Sequence, residues 1–276
     1  MQYITLNDGV EIPQLGFGVW QIPDSTAYKS VSTALEAGYR HIDTAAAYEN
    51  ESGVGRAIRD SGLPRRDVFV TTKLWNNNHG HDAALRAFDA SLERLGTDYV
   101  DLYLIHWPVP SQDLYVETWR ALEKIAETGR ARAIGVSNFT AEQLERLVKE
   151  TKTVPAINQI ELHPYFPQKQ MRQSNEELGI ATEAWSPLGR GGDLLHEPLL
   201  AWTGQKYDKS PAQVVLRWHL QLGNVVIPKS ATPARIKENF EVFDFELDEQ
   251  EMDEITALGR ESGRIGPDPM RFSYMG

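Results

Sequence analysis

Apolar residues cluster in short runs along this chain, and the runs alternate with longer segments whose apolar positions recur every three or four residues. The runs lie at Leu15 to Gly18, Arg40 to Asp43, Val68 to Lys73, Val100 to His106, Ala131 to Ser137, Ala156 to Ile160, Ile180 to Ala184 and Val225 to Ile227. Their length predicts strands, whereas Ser25 to Glu36, Asp82 to Leu95, Tyr115 to Glu127, Ala141 to Lys149 and Pro211 to Leu222 carry helical periodicity. Eight strand–helix units in 276 residues predict an (α/β)8 TIM barrel, a fold of about 250 residues, rather than an open doubly wound sheet. With no linker or low-complexity tract, residues 1–276 read as one domain. Tyr3 to Ile12 reads as a hairpin turning at Asp8-Gly9 that closes the barrel bottom. Asp193 to Trp202 is an insert outside the repeat, Glu249 to Leu258 a further helix, and Gly259 to Gly276 a loop.

The ends of the predicted strands carry the reactive side chains, as parallel α/β folds require. Asp43 and Tyr48 follow the second run, Lys73 ends the third and His106 ends the fourth. A phenol has an ordinary pKa of about 10, and an ammonium beside it favours the phenolate. Lys73 is therefore expected to bring Tyr48 toward working pH, with Asp43 keeping the lysine charged. His106 would orient a carbonyl oxygen toward the phenol, a site suited to protonating an alkoxide as hydride arrives at carbon. Trp20, Trp75 and Trp107 lie beside these four and predict an apolar funnel, with Asn76 among the residues that would set substrate preference.

The later strand ends suit a flat amide-bearing ring. Ser137, Asn138 and Gln159 offer hydrogen bonds and Trp185 a stacking face, which together fit a nicotinamide. After the last run, Thr232 and Pro233 predict a helix start flanked by Lys229, Ser230 and Arg235, a place for a phosphate.

Composition narrows the options. The chain is 41% hydrophobic and 24% charged and has no cysteine, which excludes disulfides, thiol nucleophiles and cysteine metal centres within it. Its net charge of -11 argues against nucleic acid or an anionic membrane as a general partner. His79-Gly80-His81 has no evident partner ligands, so no metal is expected. The opening segment lacks the pattern of a secretory signal and no stretch is long enough to span a membrane, so a cytoplasmic location is expected.

The blocks GYRHIDTAAAYENESGVG, LIHWP, AIGVSNF, NQIELHP and IPKSATPARIKENF, in this order over nearly the whole chain, resemble the signatures of the aldo-keto reductase family. With EAWSPLG and VLRWHLQ, the chain looks most similar to the bacterial 2,5-diketo-D-gluconate reductase branch. The resemblance implies NADPH-dependent reduction of aldehydes and ketones, with Tyr48 as proton donor, Asp43 and Lys73 as its tuning pair and His106 orienting the carbonyl. It also implies that Ser186, Leu188 and Gly189 run along the pyrophosphate. Lys229, Ser230 and Arg235 would hold the 2′-phosphate, and Glu238 and Asn239 would meet the adenine. It accounts for a missing motif, since Gly16-Phe17-Gly18 is followed by Gln21 where a Rossmann fingerprint needs its third glycine. Relatives of this size imply a monomer acting on a small carbonyl substrate.

Two other readings fit some of these residues. Lys73 could form a Schiff base with a ketose, as in a lyase, or the chain could be a non-catalytic NADPH-binding subunit. Substrate choice is expected to fall to the funnel and to the tail Gly263 to Gly276, closing over the pocket with Arg264 or Arg271 available to an acidic substrate.

Overall fold

The computed structural model describes residues 1–275 and has the expected barrel architecture. The N-terminal hairpin pairs β1 (Tyr3–Thr5) with β2 (Glu11–Pro13). At its turn the Asp8 carboxylate accepts the Val10 amide at 3.0 Å. Eight parallel strands follow in chain order: β3 (Phe17–Gly18), β4 (His41–Asp43), β5 (Phe69–Leu74), β6 (Val100–Ile105), β7 (Ala131–Ser137), β8 (Ile157–Glu161), β9 (Ala181–Trp185) and β10 (Val225–Val226). Backbone bonds from Gly16 N to Val226 O and Val226 N to Gln14 O, both 2.8 Å, join the last strand to the first and close the ring.

Around the strands lie α1 (Asp24–Ala37), α2 (Glu51–Asp60), α3 (His81–Leu95), α4 (Tyr115–Glu127), α5 (Ala141–Glu150), α6 (Lys169–Glu177), α8 (Pro211–Gln221) and α9 (Pro233–Glu238). The insert after β9 is longer than expected, a short 3-10 turn and then α7 (Pro198–Tyr207); α10 (Glu249–Thr256) completes the set. Reciprocal caps fix three helix starts: Thr140 with Gln143, Ser210 with Gln213 and Asp248 with Glu251. Thr232 begins α9 as expected, but its side chain makes no cap; the Ser230 hydroxyl accepts the Thr232 amide instead.

Two helices of the repeat escape the sequence reading for opposite reasons. Helix α6, KQMRQSNEE, buries only Asn175 and so shows no apolar stripe. Helix α2 carries Gly53 and Gly55, which intrinsic propensity disfavours by about 1 kcal/mol each. Tertiary packing decides here: a Cβ on Gly55 would lie 2.0 Å from the Leu95 carbonyl oxygen at the end of α3.

Strand alternation divides the core into two parts. Val68, Val70, Tyr103, Ile105, Ile134 and Val136 face the helices. Phe69, Leu102, Leu104, Ala133, Ile157 and Val225 fill the lower interior, capped by Leu6 and Ile12 of the hairpin. On several strands the next inward positions are polar: Thr71 and Lys73 above Phe69, Gln159 above Ile157, and His41 and Asp43 on β4, all buried. The barrel is thus dry and apolar below and polar above. Gly55→Ala should destabilise the fold by about 1–3 kcal/mol through overpacking against α3, read as a lower urea midpoint with unchanged slope; an unaltered midpoint would contradict this close approach.

Candidate active site

The four predicted polar residues converge at the top of the barrel. Lys73 is fully buried on β5, and its Nζ donates to Asp43 Oδ1 at 2.6 Å, to the Thr44 carbonyl at 2.9 Å and to the Tyr48 hydroxyl at 3.4 Å. Tyr48 ends a 3-10 turn directly after β4, which swings its ring over the lysine. The His106 ring packs edge-on against Tyr48 at 5.6 Å and against Trp75 at 5.1 Å between centroids. Asp43, Tyr48 and His106 line a cavity of about 1440 Å³, while Lys73 sits behind its wall.

Burial sets the protonation states. His106 is pushed well below its ordinary value by burial, helped by the Lys73 charge, and is neutral. Burial lowers Lys73 by itself, but Asp43 and Tyr48 more than compensate and its ammonium is held above the ordinary value. For Asp43 burial outweighs the lysine and raises the carboxyl. Burial raises the Tyr48 phenol more than Lys73, acting in the expected direction, lowers it, so Tyr48 stays protonated through the neutral range. The site therefore presents a proton donor rather than a phenolate.

The tail forms the other side of the cavity. Trp75 Nε1 donates to the Met275 carbonyl at 3.0 Å and Asn76 Nδ2 to the Tyr274 carbonyl at 2.7 Å. Asn76 is fully buried in this anchor and is absent from the cavity wall, contrary to expectation, because its amide is spent on the tail. Trp20, Trp75 and Trp107 all line the cavity, Trp107 packing on Phe272 at 4.3 Å between centroids. Phe272 and Tyr274, from the tail expected to close over the pocket, complete the funnel. Neither tail arginine has the expected role: Arg264 stacks over Phe166 at 4.6 Å, and Arg271 is exposed with Asp268 3.8 Å away. The expected closure spans Gly263 to Gly276, of which Gly276 lies outside the described residues.

Glu161, also missed, holds this tail down. Its carboxylate accepts the Ile265 and Gly266 amides at 2.6 and 2.7 Å and lies 3.1 Å from His163 Nε2. Burial alone would raise the Glu161 carboxyl, but these three contacts bring it below the ordinary value.

The opposite wall has an amide-lined corner. Asn138, at φ 63°, donates to the His106 carbonyl at 3.0 Å and to the Ser137 hydroxyl at 3.0 Å, and accepts Trp185 Nε1 at 2.8 Å. The Ser137 hydroxyl donates to the Gln159 carbonyl at 2.8 Å. From this corner the cavity runs past Trp185, Ser186 and Leu188 to Lys229, Ser230, Arg235, Glu238 and Asn239, a length and chemistry that fit an extended dinucleotide. Gly189 is off that wall and packs toward Leu194; Arg190 and Gly191 line it instead, with Arg190 stacked over Trp20 at 4.9 Å. His79 is buried and unpartnered, and His81 pairs with Asp82 at 2.9 Å. No group of three or more potential metal ligands occurs among the described residues.

The aldo/keto reductase family profile matches residues 14–197 and 194–260. The chain belongs to this family. A Mycolicibacterium smegmatis relative described as an aldo-keto reductase is 57% identical, covering 99% of this chain and 98% of its own. Methylglyoxal reductase DkgA of Escherichia coli K12 is 49% identical, covering 98% and 97%. A crystal structure of a Gox0644 mutant in complex with NADPH superimposes with a TM-score of 0.95 at 45% identity, covering 99% of each chain. This aldo-keto reductase is accordingly an NADPH-dependent oxidoreductase.

The lowered Glu161 carboxyl makes a signed prediction. Its hold on the tail is complete above the ordinary glutamate value of about 4.3 and is lost as pH falls through the lower folded value. Amide exchange protection at Ile265 and Gly266 should therefore collapse on acidification, and Glu161→Gln should lower it about tenfold or more already at neutral pH. Unchanged protection in the variant would show that the carboxylate does not anchor the tail.

Proposed function

We propose that the chain reduces small neutral aldehydes, ketones and dicarbonyls to alcohols, with Tyr48 as the proton donor. The observation that carries this reading is the Lys73 ammonium, 2.6 Å from Asp43 and 3.4 Å from the Tyr48 hydroxyl, at the floor of an aromatic cavity. When bound, NADPH supplies a hydride to the carbonyl carbon. Neutral His106 orients the carbonyl oxygen, and Tyr48 gives that oxygen its proton as negative charge develops there. Lys73 and the tryptophan walls support the transfer: the ammonium stabilises the phenolate left behind, and the aromatic rings exclude water. General acid help of this kind is worth roughly 10² to 10⁴ in rate.

Ser137, Asn138 and Gln159 would hold the carboxamide, and Trp185 would stack on the ring. Lys229, Ser230 and Arg235 would take the 2′-phosphate, with Glu238 and Asn239 at the adenine. Small dicarbonyls are favoured by the likeness to methylglyoxal reductase. A sugar acid is disfavoured because neither Arg264, stacked over Phe166, nor the exposed Arg271 lines the cavity. The lyase reading weakens for a physical reason. A Schiff base needs a free amine, and all three Lys73 hydrogens are committed to Asp43, Thr44 and Tyr48.

Loss of NADPH absorbance with methylglyoxal, a keto ester and a diketogluconate tests the reaction. Tyr48→Phe should abolish turnover while leaving NADPH affinity intact; a variant that keeps wild-type turnover would refute Tyr48 as the acid. The raised phenol adds a sign: reduction should hold through neutral pH, whereas alcohol oxidation, which needs the phenolate, should rise only at alkaline pH. Arg235→Ala should weaken NADPH binding on the order of ten- to a hundredfold and leave NADH binding unchanged. Equal weakening of both coenzymes would remove Arg235 from the 2′-phosphate.

A further inference from the structure

One buried acid beneath the cavity takes no direct part in the proposed proton transfer. Glu183, on β9, is completely buried and is the register partner of Gln159 on β8. Gln159 Nε2 donates to Asp43 Oδ2 at 2.9 Å and to Glu183 Oε2 at 2.8 Å. An amide nitrogen has two hydrogens, and here both are spent. The Gln159 oxygen is then the side-chain atom left to serve the cavity that this residue lines.

The charge balance of this layer is tight. Glu183 faces His41 and Asp43 from β4, Lys73 from β5, Gln159 from β8, and Tyr48 from the turn after β4, and His41 is in turn bonded to Thr71. Among these groups Lys73 is the cation, because burial drives His41 down to about 3 and leaves it neutral. All three Lys73 hydrogens are already used, so Glu183 receives no hydrogen bond from it. Glu183 Oε1 has no hydrogen-bond partner at all and lies 3.8 Å from His41 Nε2. With Asp43 ionised against Lys73 the layer is neutral, and ionising Glu183 as well would leave one buried negative charge uncompensated. Burial, followed by the Asp43 charge, pushes the Glu183 carboxyl up to about 8.

We propose that Glu183 is a positioning residue, held as the neutral acid, that fixes the Gln159 amide with its oxygen toward the cofactor and leaves Asp43 as the sole anion paired with Lys73. Its effect on coenzyme rests on the reductase reading; its protonation state does not. Above its own pKa the acid loses its proton to solvent, and the second anion raises the Tyr48 phenol further, weakening it as a donor.

The two parts of this proposal are tested separately. In infrared difference spectra of the coenzyme-free protein, wild type minus Glu183→Gln, a protonated carboxylic C=O stretch should be present at pH 7 and titrate away near pH 8. Carboxylate bands alone at pH 7 would overturn the neutral acid. For the positioning role, tryptophan quenching gives the NADPH dissociation constant of each variant, with melting points showing that both fold. Glu183→Ala removes one acceptor from Gln159 and should weaken NADPH binding about tenfold. Glu183→Gln keeps an oxygen there and should recover most of the loss. Equal weakening in both variants, or in neither, would refute the role. Failure of the wild type to bind NADPH would instead refute the reductase reading, with the infrared result still deciding the state of Glu183.

Discussion

The burial of a single ammonium governs the upper half of this barrel. Lys73 is wholly removed from water, which is tolerable only if every one of its hydrogens finds an acceptor and its charge finds a partner. Asp43, the Thr44 carbonyl and the Tyr48 hydroxyl meet that demand, and they come from β4 and the turn that follows it. The same contacts that make the lysine tolerable place a phenol at the cavity floor. Stability and chemistry are coupled here: removing an acceptor would leave both an unpaired buried charge and a misplaced proton donor.

From this pair a chain of polar contacts crosses the barrel. Asp43 accepts from Gln159, Gln159 binds Glu183, and the Gln159 backbone carbonyl accepts the Ser137 hydroxyl. Asn138 continues it to the His106 carbonyl and the Trp185 indole. Each amide therefore arrives at the cavity with its orientation already set by neighbours, so little ordering remains for a bound ring to impose. The Asn138 backbone adopts a left-handed conformation, a strained geometry for most side chains that asparagine tolerates well.

The substrate side is built differently. Its floor comes from strand ends, but its roof is the chain's last segment, tied down by backbone contacts to Glu161, Trp75 and Asn76. These ties hold backbone atoms, while the Phe272 and Tyr274 rings add packing on Trp107 and Trp75.

The strand count, most of the helices, the hairpin and the four polar strand ends were legible in the sequence because they depend on local periodicity and on strand ends lying at one face of a parallel barrel. The motif blocks added the family and its coenzyme. Helix α6 was hidden by its polar composition, and α2 by two glycines whose need appears only where the helix meets the Leu95 carbonyl. Although the closure of the tail was expected, its anchors and the roles of Glu183 and Glu161 were equally hidden, since they depend on partners from 24 to 200 residues away. So too was the state of Tyr48: sequence placed a lysine beside it, but burial, a property of the assembled barrel, outweighs that charge and keeps the phenol protonated. Sequence determined which groups stand at the strand ends; tertiary structure alone decided how deeply they are buried, which contacts use up their hydrogens, and hence which of them carries the proton.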